Sequence, residues 1–437
     1  MDSAPKIATI AKEEEEDRLS NLPSSVICHI LSFMPTKYAA RTSILSKMWK
    51  YLFLGVPRID LQGTYQLIRP ERSKDFFNFV NRRLMLGRTS SITEFRLICD
   101  VVPEPSKSNL WLTTLLLRNI HILDIDLWDE AGCPSLCPPN ELFVSKTIQV
   151  LKLGGMNIVL KIPEFVCLPQ LKVLHLKYLS VQSECSHFKF SQGYPLLEDL
   201  KLIYIRFPEN AVLGILVATL KRIALTVGYC MEPVRVDIDT PNLQHIECSL
   251  QDDSRRVIQL NLVSCEFLVS AKFERSLLCE SHWFLKLLCD FNKIKYLHLS
   301  ALFLKDLGRC GDLLPTFPNL IHLQLTPSED SMWILLQRSP ILEELDCVMG
   351  GMIVSAPPES GPPCFTENLR EIRIRGFEGD EDDFAVVRYF LEHAAALKRM
   401  IIVLASHLVE KCPVSILQSL LKLRRRSPKC EVELLGS

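Results

Sequence analysis

The 437-residue chain has no excess of charge of either sign: 50 lysines and arginines face 51 aspartates and glutamates, for a net charge of −1. That absence argues against a general nucleic-acid binder, whose electrostatic footprint is a basic excess. Long hydrophobic runs are also missing. The longest, Ala211 to Leu220, is flanked by Glu209 and Lys221 and falls far short of the roughly 20 residues a membrane-spanning helix needs. The opening residues, MDSAPKIATIAKEEEED, turn acidic where a secretory leader needs a basic end and an apolar run. Sixteen cysteines are scattered without the paired spacings of a disulfide framework. The expectation is free, mostly buried thiols in a reducing intracellular compartment, nucleus or cytoplasm.

Chemical motifs are missing as well. There is no GxxxxGK[ST] phosphate loop and no GxGxxG following a strand. Cys133 and Cys137 with Cys185 and His187 follow no zinc-finger spacing and read as ordinary small hydrophobes and a surface histidine. His175, His298 and His322 fall at strand positions outside the apolar pattern, without convergent ligands. No catalytic set, metal site or cofactor is expected, and an enzyme is the reading with least support.

What is present is apolar: 48% hydrophobic residues exclude a mainly disordered chain. Residues 1–16, ending in Glu13–Glu16, read as a solvated, disordered acidic arm. In residues 17–61, Leu22-Pro23 predicts a helix start with proline at the first helical position. Ile27, Ile30, Leu31 and Met34 then form one stripe at helical spacing. Pro35 ends that helix, Thr36 is placed to cap the next, and Leu45, Met48, Trp49 and Leu52 repeat the spacing. Three such short pieces cannot bury all their apolar surface among themselves and need a partner.

The runs Asp17–Pro23, Ile30-Leu31-Ser32, Met34–Lys37, Arg41-Thr42-Ser43 and Leu45-Ser46-Lys47, followed by Trp49, resemble a plant F-box. The sequence departs from that family at Met48, where arginine is common, and at Phe53-Leu54, where a second tryptophan is common. The resemblance implies docking of a Skp-type adaptor, which connects to a cullin and a RING protein in a ubiquitin ligase. It also implies adaptor-binding roles for Leu22, Pro23, Ile30 and Leu31, with Trp49 bridging core and interface; the same residues could instead simply hold the bundle together.

Downstream, a trio written apolar-x-x-apolar-x-apolar recurs from Ile92/Phe95/Leu97 to Leu397/Met400/Ile402, at a mean spacing of about 25 residues, within the roughly 20–29 of leucine-rich repeats. The trios around Ala271 and Met400 are the poorest. Side chains flanking a single x share a strand face, so each pair points into a core that is closed only by stacking repeat on repeat. The fold class expected is α/β: a small helical F-box, then an irregular leucine-rich-repeat solenoid over 62–354 with a parallel sheet and a concave face. Between trios, 282–288 and 328–336 read as helical returns, and PEPSKSN (103–109) and AGCPSLCPPN (131–140) as loops. A Pro/Gly-rich loop covers 355–363.

Residues 364–437 hold Asp380–Asp383 leading into a helix over 384–395, a last trio and a closing segment. They are similar to the FBD domain found behind plant F-box and repeat regions, and here supply the last repeats and a cap. The basic run Lys422, Arg424, Arg425 and Arg426 fits either a helix C-terminus or a nuclear import signal.

The central x residues face the concave side. Lys152, His175 and Lys201 make one stretch of it basic, suited to an acidic or phosphorylated client or, equally, to a solvated strand face. As a whole the resemblance implies a non-catalytic substrate-recognition subunit of a cullin–RING ligase, with an unknown client and no nucleic-acid or membrane partner. An interaction scaffold or a small-molecule receptor is the alternative.

Overall fold

The computed structural model describes residues 19, 21–63, 73–86, 92–100, 104–128, 136–156, 158–182, 187–208, 210–228, 235–251, 259–263, 266–275, 287–289, 291–300, 314–326, 331–349, 358, 360–408 and 413–436. The acidic arm expected at 1–16, the cap expected at 328–330 and residues 355–357 and 359 of the expected loop lie outside them.

Three short helices open the described chain: α1 (Ser24–Ser32), α2 (Thr36–Arg41) and α3 (Lys47–Leu54). Pro23 sits at the cap of α1 rather than inside its first turn, and Pro35 does the same for α2. Thr36 is therefore not the cap that its type predicts. Its hydroxyl accepts the backbone N–H of Asp60 at 2.7 Å and ties α2 to the first strand. Ser46 caps α3 by accepting from the N–H of Trp49. Ile27, Leu31, Ala39, Trp49, Leu52, Phe53 and Val56 form a small core of their own.

From Arg58 onward, fifteen strands form one sheet, and every neighbouring pair is parallel. The register is continuous. Asp60, Arg96, Asp124, Lys152, His175 and Lys201 stand side by side on the first six strands. The row continues through Ala224, Glu247, Lys272, His298, Gln324, Asp346, Arg373 and Ile401 to Glu433. Every apolar trio of the sequence thus occupies a rung of a leucine-rich-repeat solenoid, the poor ones included. Ala271, Phe273, Met400 and Ile402 are as buried as Leu323 and Leu325. The last strand, Glu431–Leu435, is a further rung rather than only a closing segment: Val432 and Leu434 pair with Met400 and Ile402 and pack on the core.

The returns differ along the array. Early ones are helical: α4 (Ser73–Leu86) buries Val80 and Leu84, and α5 (Pro105–Leu117) buries Trp111, Leu112 and Leu115. Helix α5 corrects the loop expected at 103–109. Pro105 stands in the first turn, where a missing N–H costs nothing, and the helical spacing of the apolar residues begins just beyond the stretch that looks like a loop.

In the middle, the returns are extended and form a second parallel ladder of 187–190, 212–215, 235–238 and 259–262, with a smaller pair at 159–161 and 180–182. The helical periodicity is absent there, and Phe188/Phe190, Leu213/Ile215 and Val236/Ile238 alternate inward. Helices return on the outer side at Ser331–Gln337, Glu381–His393 and Pro413–Leu421. Asp380 caps the second by accepting from Asp383 N–H at 2.8 Å.

The helical bundle is fixed to the first repeat. Arg83 of α4 is buried and donates to the Val56 carbonyl, with its guanidinium over the Phe53 ring, and Phe53 stacks on Phe79. Burial lowers the Arg83 pKa to about 10.

Candidate functional site

Two surfaces stand out, one on the bundle and one on the sheet. Within residues 19–51 lie ten of the twenty-three large hydrophobic side chains exposed among the described residues. Phe33, Ile44 and Tyr51 are 72, 85 and 72% exposed, and Leu45, Met48, Tyr38 and Ile30 are also open. A concentration of this kind on so small a bundle marks a contact surface rather than the scattered apolar exposure of any protein.

The sequence-selected residues divide between that surface and the core. Pro23 and Ile30 are exposed, and Leu22 is half-buried against the bundle. Leu31, 1% exposed, fills the bundle core beside Ile27, the placement expected of a residue that holds the bundle together. The expected stripe of Ile27, Ile30, Leu31 and Met34 is split, because the bundle needs only a narrow seam and turns Ile30 and Met34 outward. Trp49 is also core, 8% exposed, so any bridging role rests on its edge. Phe33, Ile44 and Tyr51 were missed by periodicity because they fall off the seam. Met48, where the family commonly has arginine, lies on the apolar surface.

On the concave sheet, cations and carboxylates of adjacent rungs pair. Arg96 reaches Asp124 at 3.5 Å, Lys272 reaches Glu247 at 2.8 Å, Arg375 pairs with Asp346, and Arg399 holds Glu433 through two contacts of 2.9 and 3.0 Å. Lys152, His175 and Lys201 stand on neighbouring rungs as the trio pattern requires, all half-buried. His175 is not a free cation of that group: its Nε2 lies 3.2 Å from Asp199, which also accepts from Arg222 Nε at 3.1 Å. Burial would raise the Asp199 carboxyl, but these two donors outweigh it and hold its pKa below the ordinary value.

Chemistry is not concentrated anywhere among the described residues. No three His, Cys, Asp or Glu side chains are grouped to hold a metal there. Of the four residues that could be assembled into a zinc site, Cys133 and Cys185 lie outside the described residues. The nine described cysteines are free, and burial pushes Cys248 and Cys364 up to about 12, the direction opposite to an activated thiol. No helix among the described residues is long and apolar enough to cross a membrane.

The geometry defines a class: a parallel-sheet repeat solenoid carrying a small helical bundle with an exposed apolar surface at its N-terminal end. The comparisons agree. The family model for the F-box domain matches residues 19–60, and that for FBD matches residues 357–402. An F-box/LRR-repeat protein of Arabidopsis thaliana is 33% identical over 88% of this chain and 87% of its own length. A second is 30% identical over 96% of this chain and 88% of its own. An F-box/FBD/LRR-repeat protein of the same plant is 28% identical over 95% and 98%. The chain belongs to the plant F-box/LRR-repeat family, with an FBD region at its C-terminal end.

Proposed function

We propose that the chain is the substrate-recognition subunit of a cullin–RING ubiquitin ligase, its bundle docking a Skp-type adaptor and its solenoid recruiting a client protein. The observation that carries the reading is the uncovered apolar surface of α1–α3 in a segment matched by the F-box family model. Each exposed Leu, Ile or Phe buried on docking contributes about 1.5–3 kcal/mol, enough in a group to exceed the cost of association. Pro23, Ile30 and Leu22 belong to that interface. Leu31 and Trp49 act by holding its shape.

The chain then performs no chemistry itself. It holds a client lysine near the ubiquitin-loaded enzyme that the adaptor, cullin and RING subunits bring, so that proximity does the catalytic work. The fixed join between bundle and solenoid suits this task, since a rigid spacer sets where the client sits. Free cysteines accord with action in the nucleus or cytoplasm. The test is capture of the purified chain by a Skp-type adaptor, beside the triple variant Leu22→Ala/Pro23→Ala/Ile30→Ala. Binding by the wild type and its loss in the folded variant support the reading. No capture by the folded wild type overturns it.

A further inference from the structure

The concave sheet has one corner built differently from the rest. Trp128, Tyr178 and Tyr204 follow the strands that carry Asp124, His175 and Lys201, and their rings run together: Trp128 meets Tyr178 edge-on at 4.8 Å, and Tyr178 stacks on Tyr204 at 4.8 Å with 19° between planes. Two tyrosines are held at left-handed backbone angles to achieve this, φ 55° at Tyr178 and 52° at Tyr204. Bulky residues rarely adopt that region. Each is fixed by donating its N–H to the next rung, to Ile203 O at 2.8 Å and Thr226 O at 2.7 Å.

On the intervening strand the equivalent position is Gly155, φ 139°, where an added Cβ would lie 2.1 Å from the Leu127 carbonyl oxygen. The missing side chain lets the chain pass close to the Leu127 carbonyl at the rung between Trp128 and Tyr178. All three rings are half-buried, so each keeps part of its apolar surface exposed.

Beside it stand Lys152 and Lys201, which have no hydrogen bond or salt bridge among the described residues, unlike Arg96, Arg222, Lys272, Arg375 and Arg399 on the same sheet. The carboxylates on the neighbouring rungs are already engaged: Asp124 by Arg96, Asp199 by His175 and Arg222, and Asp126 by the charge of Lys177 and by the Trp128 indole, which leaves Lys152 and Lys201 as the unmatched pair. The corner therefore presents unmatched positive charge next to an aromatic face. Lysine is a point charge rather than the fork that grips one phosphate or carboxylate. Lys152 and Lys201 are two rungs apart, roughly 10 Å, about the rise of one three-residue turn of polyproline II, whose side chains three apart share a face.

We propose that this corner docks a carboxylate-rich segment of the client in the polyproline-II conformation, with acidic side chains three residues apart, on one face, meeting Lys152 and Lys201 and a flat apolar side chain against Trp128, Tyr178 and Tyr204. The proposal rests on the client-recruiting reading above.

The test uses the full chain and fluorescence anisotropy with three labelled synthetic peptides: one with Glu at that spacing and one Phe, its Gln twin, and a twin carrying phosphoserine in place of Glu. The Glu peptide is expected to bind and the Gln twin not. Lys152→Glu/Lys201→Glu should weaken the Glu peptide by tenfold or more, with Tyr178→Ala weakening it as well in a chain that melts as a folded protein. Lys161→Glu/Lys189→Glu makes the same charge change on the outer strands, where both lysines are exposed, and should leave affinity within about twofold. Equal binding of the Gln twin, binding by the phosphoserine peptide alone, or indifference to the Lys152/Lys201 reversal overturns the proposal. Adaptor capture measured on the same preparations separates the two readings: capture without Glu-peptide binding removes this docking corner and leaves the ligase role standing.

Discussion

Ile27 and Ile44 lie in the same small bundle with opposite environments, 1 and 85% exposed, so alanine at each should damage a different property. Truncation to alanine removes about three carbon groups worth ~0.8 kcal/mol each when buried. At Ile44 nearly all of that area is open in the free chain and available to a docking partner. Ile44→Ala should therefore leave stability within about 0.5 kcal/mol and weaken adaptor binding by about 2 kcal/mol, or ~30-fold.

Ile27→Ala instead opens a cavity beside Leu31 and Trp49, with an expected cost of about 2–5 kcal/mol to the bundle. The bundle has a core separate from that of the solenoid, so the loss should appear locally, as faster amide hydrogen exchange over 24–54, before any change in the sheet. Calorimetric titration with the adaptor and exchange mass spectrometry read the two quantities independently. An Ile44→Ala chain that binds within twofold of wild type would show that the partner does not use this face, and the assignment of the apolar surface would fall.

Gly155→Ala should lower the urea midpoint by more than Gly154→Ala, with a loss of about 2 kcal/mol or more. The Gly155 Cβ meets fixed backbone at a left-handed φ, whereas that of Gly154 meets only the movable Asp126 carboxylate at 2.6 Å. Asp199 has a folded pKa below its ordinary value of 3.8, so it contributes stability that is fully present above that value and lost as pH falls through the folded value. Urea titrations from neutral pH into the acid range should show Asp199→Asn with lower stability at neutral pH and a shallower acid limb. Arg83→Ala leaves the Val56 carbonyl without that donor and a void against Phe53. About 2–4 kcal/mol should be lost, with exchange rising in α3 and in the strand 58–63. Arg83→Met, which keeps the packing, should lose less.

The sheet was the most legible part of this molecule because each rung must send two side chains into a shared core. Leu151/Leu153 and Leu323/Leu325 carry that demand openly, and even Ala271/Phe273 keeps the spacing. Legibility failed where the demand was weaker or competing. Val432/Leu434 ends the array with one neighbour and only partial burial, so two glutamates between and beside them obscure the rung. Pro105 and Ser106 look like a loop although proline is welcome in a first helical turn.

The outer ladder needs only four-residue strands, too short for periodicity to separate from loop. Left-handed tyrosines carry no compositional signal at all, since nothing in Leu176-Lys177-Tyr178 or Leu202-Ile203-Tyr204 announces a positive φ. On the bundle, spacing identified the helices but not which apolar side chains face inward, because buried Ile27 and exposed Ile30 and Ile44 are written in the same residue type.

That last ambiguity has a physical resolution at the join. A bundle of this size gains little from its own core, so its shape must be held from outside. Arg83, Phe79 and the Thr36–Asp60 hydrogen bond all reach it from the first repeat. The solenoid therefore closes the inner side of α2 and α3, while Ile30, Phe33, Ile44 and Tyr51 stay exposed. Placing a large buried cation there is costly in isolation, and here it is tolerated because the guanidinium is stacked on Phe53 and donates to Val56. What the buried Arg83 contact adds over a flexible tether is a fixed placement of the bundle on the first repeat, and the proposed delivery of a client to the adaptor is the one reading that makes use of it.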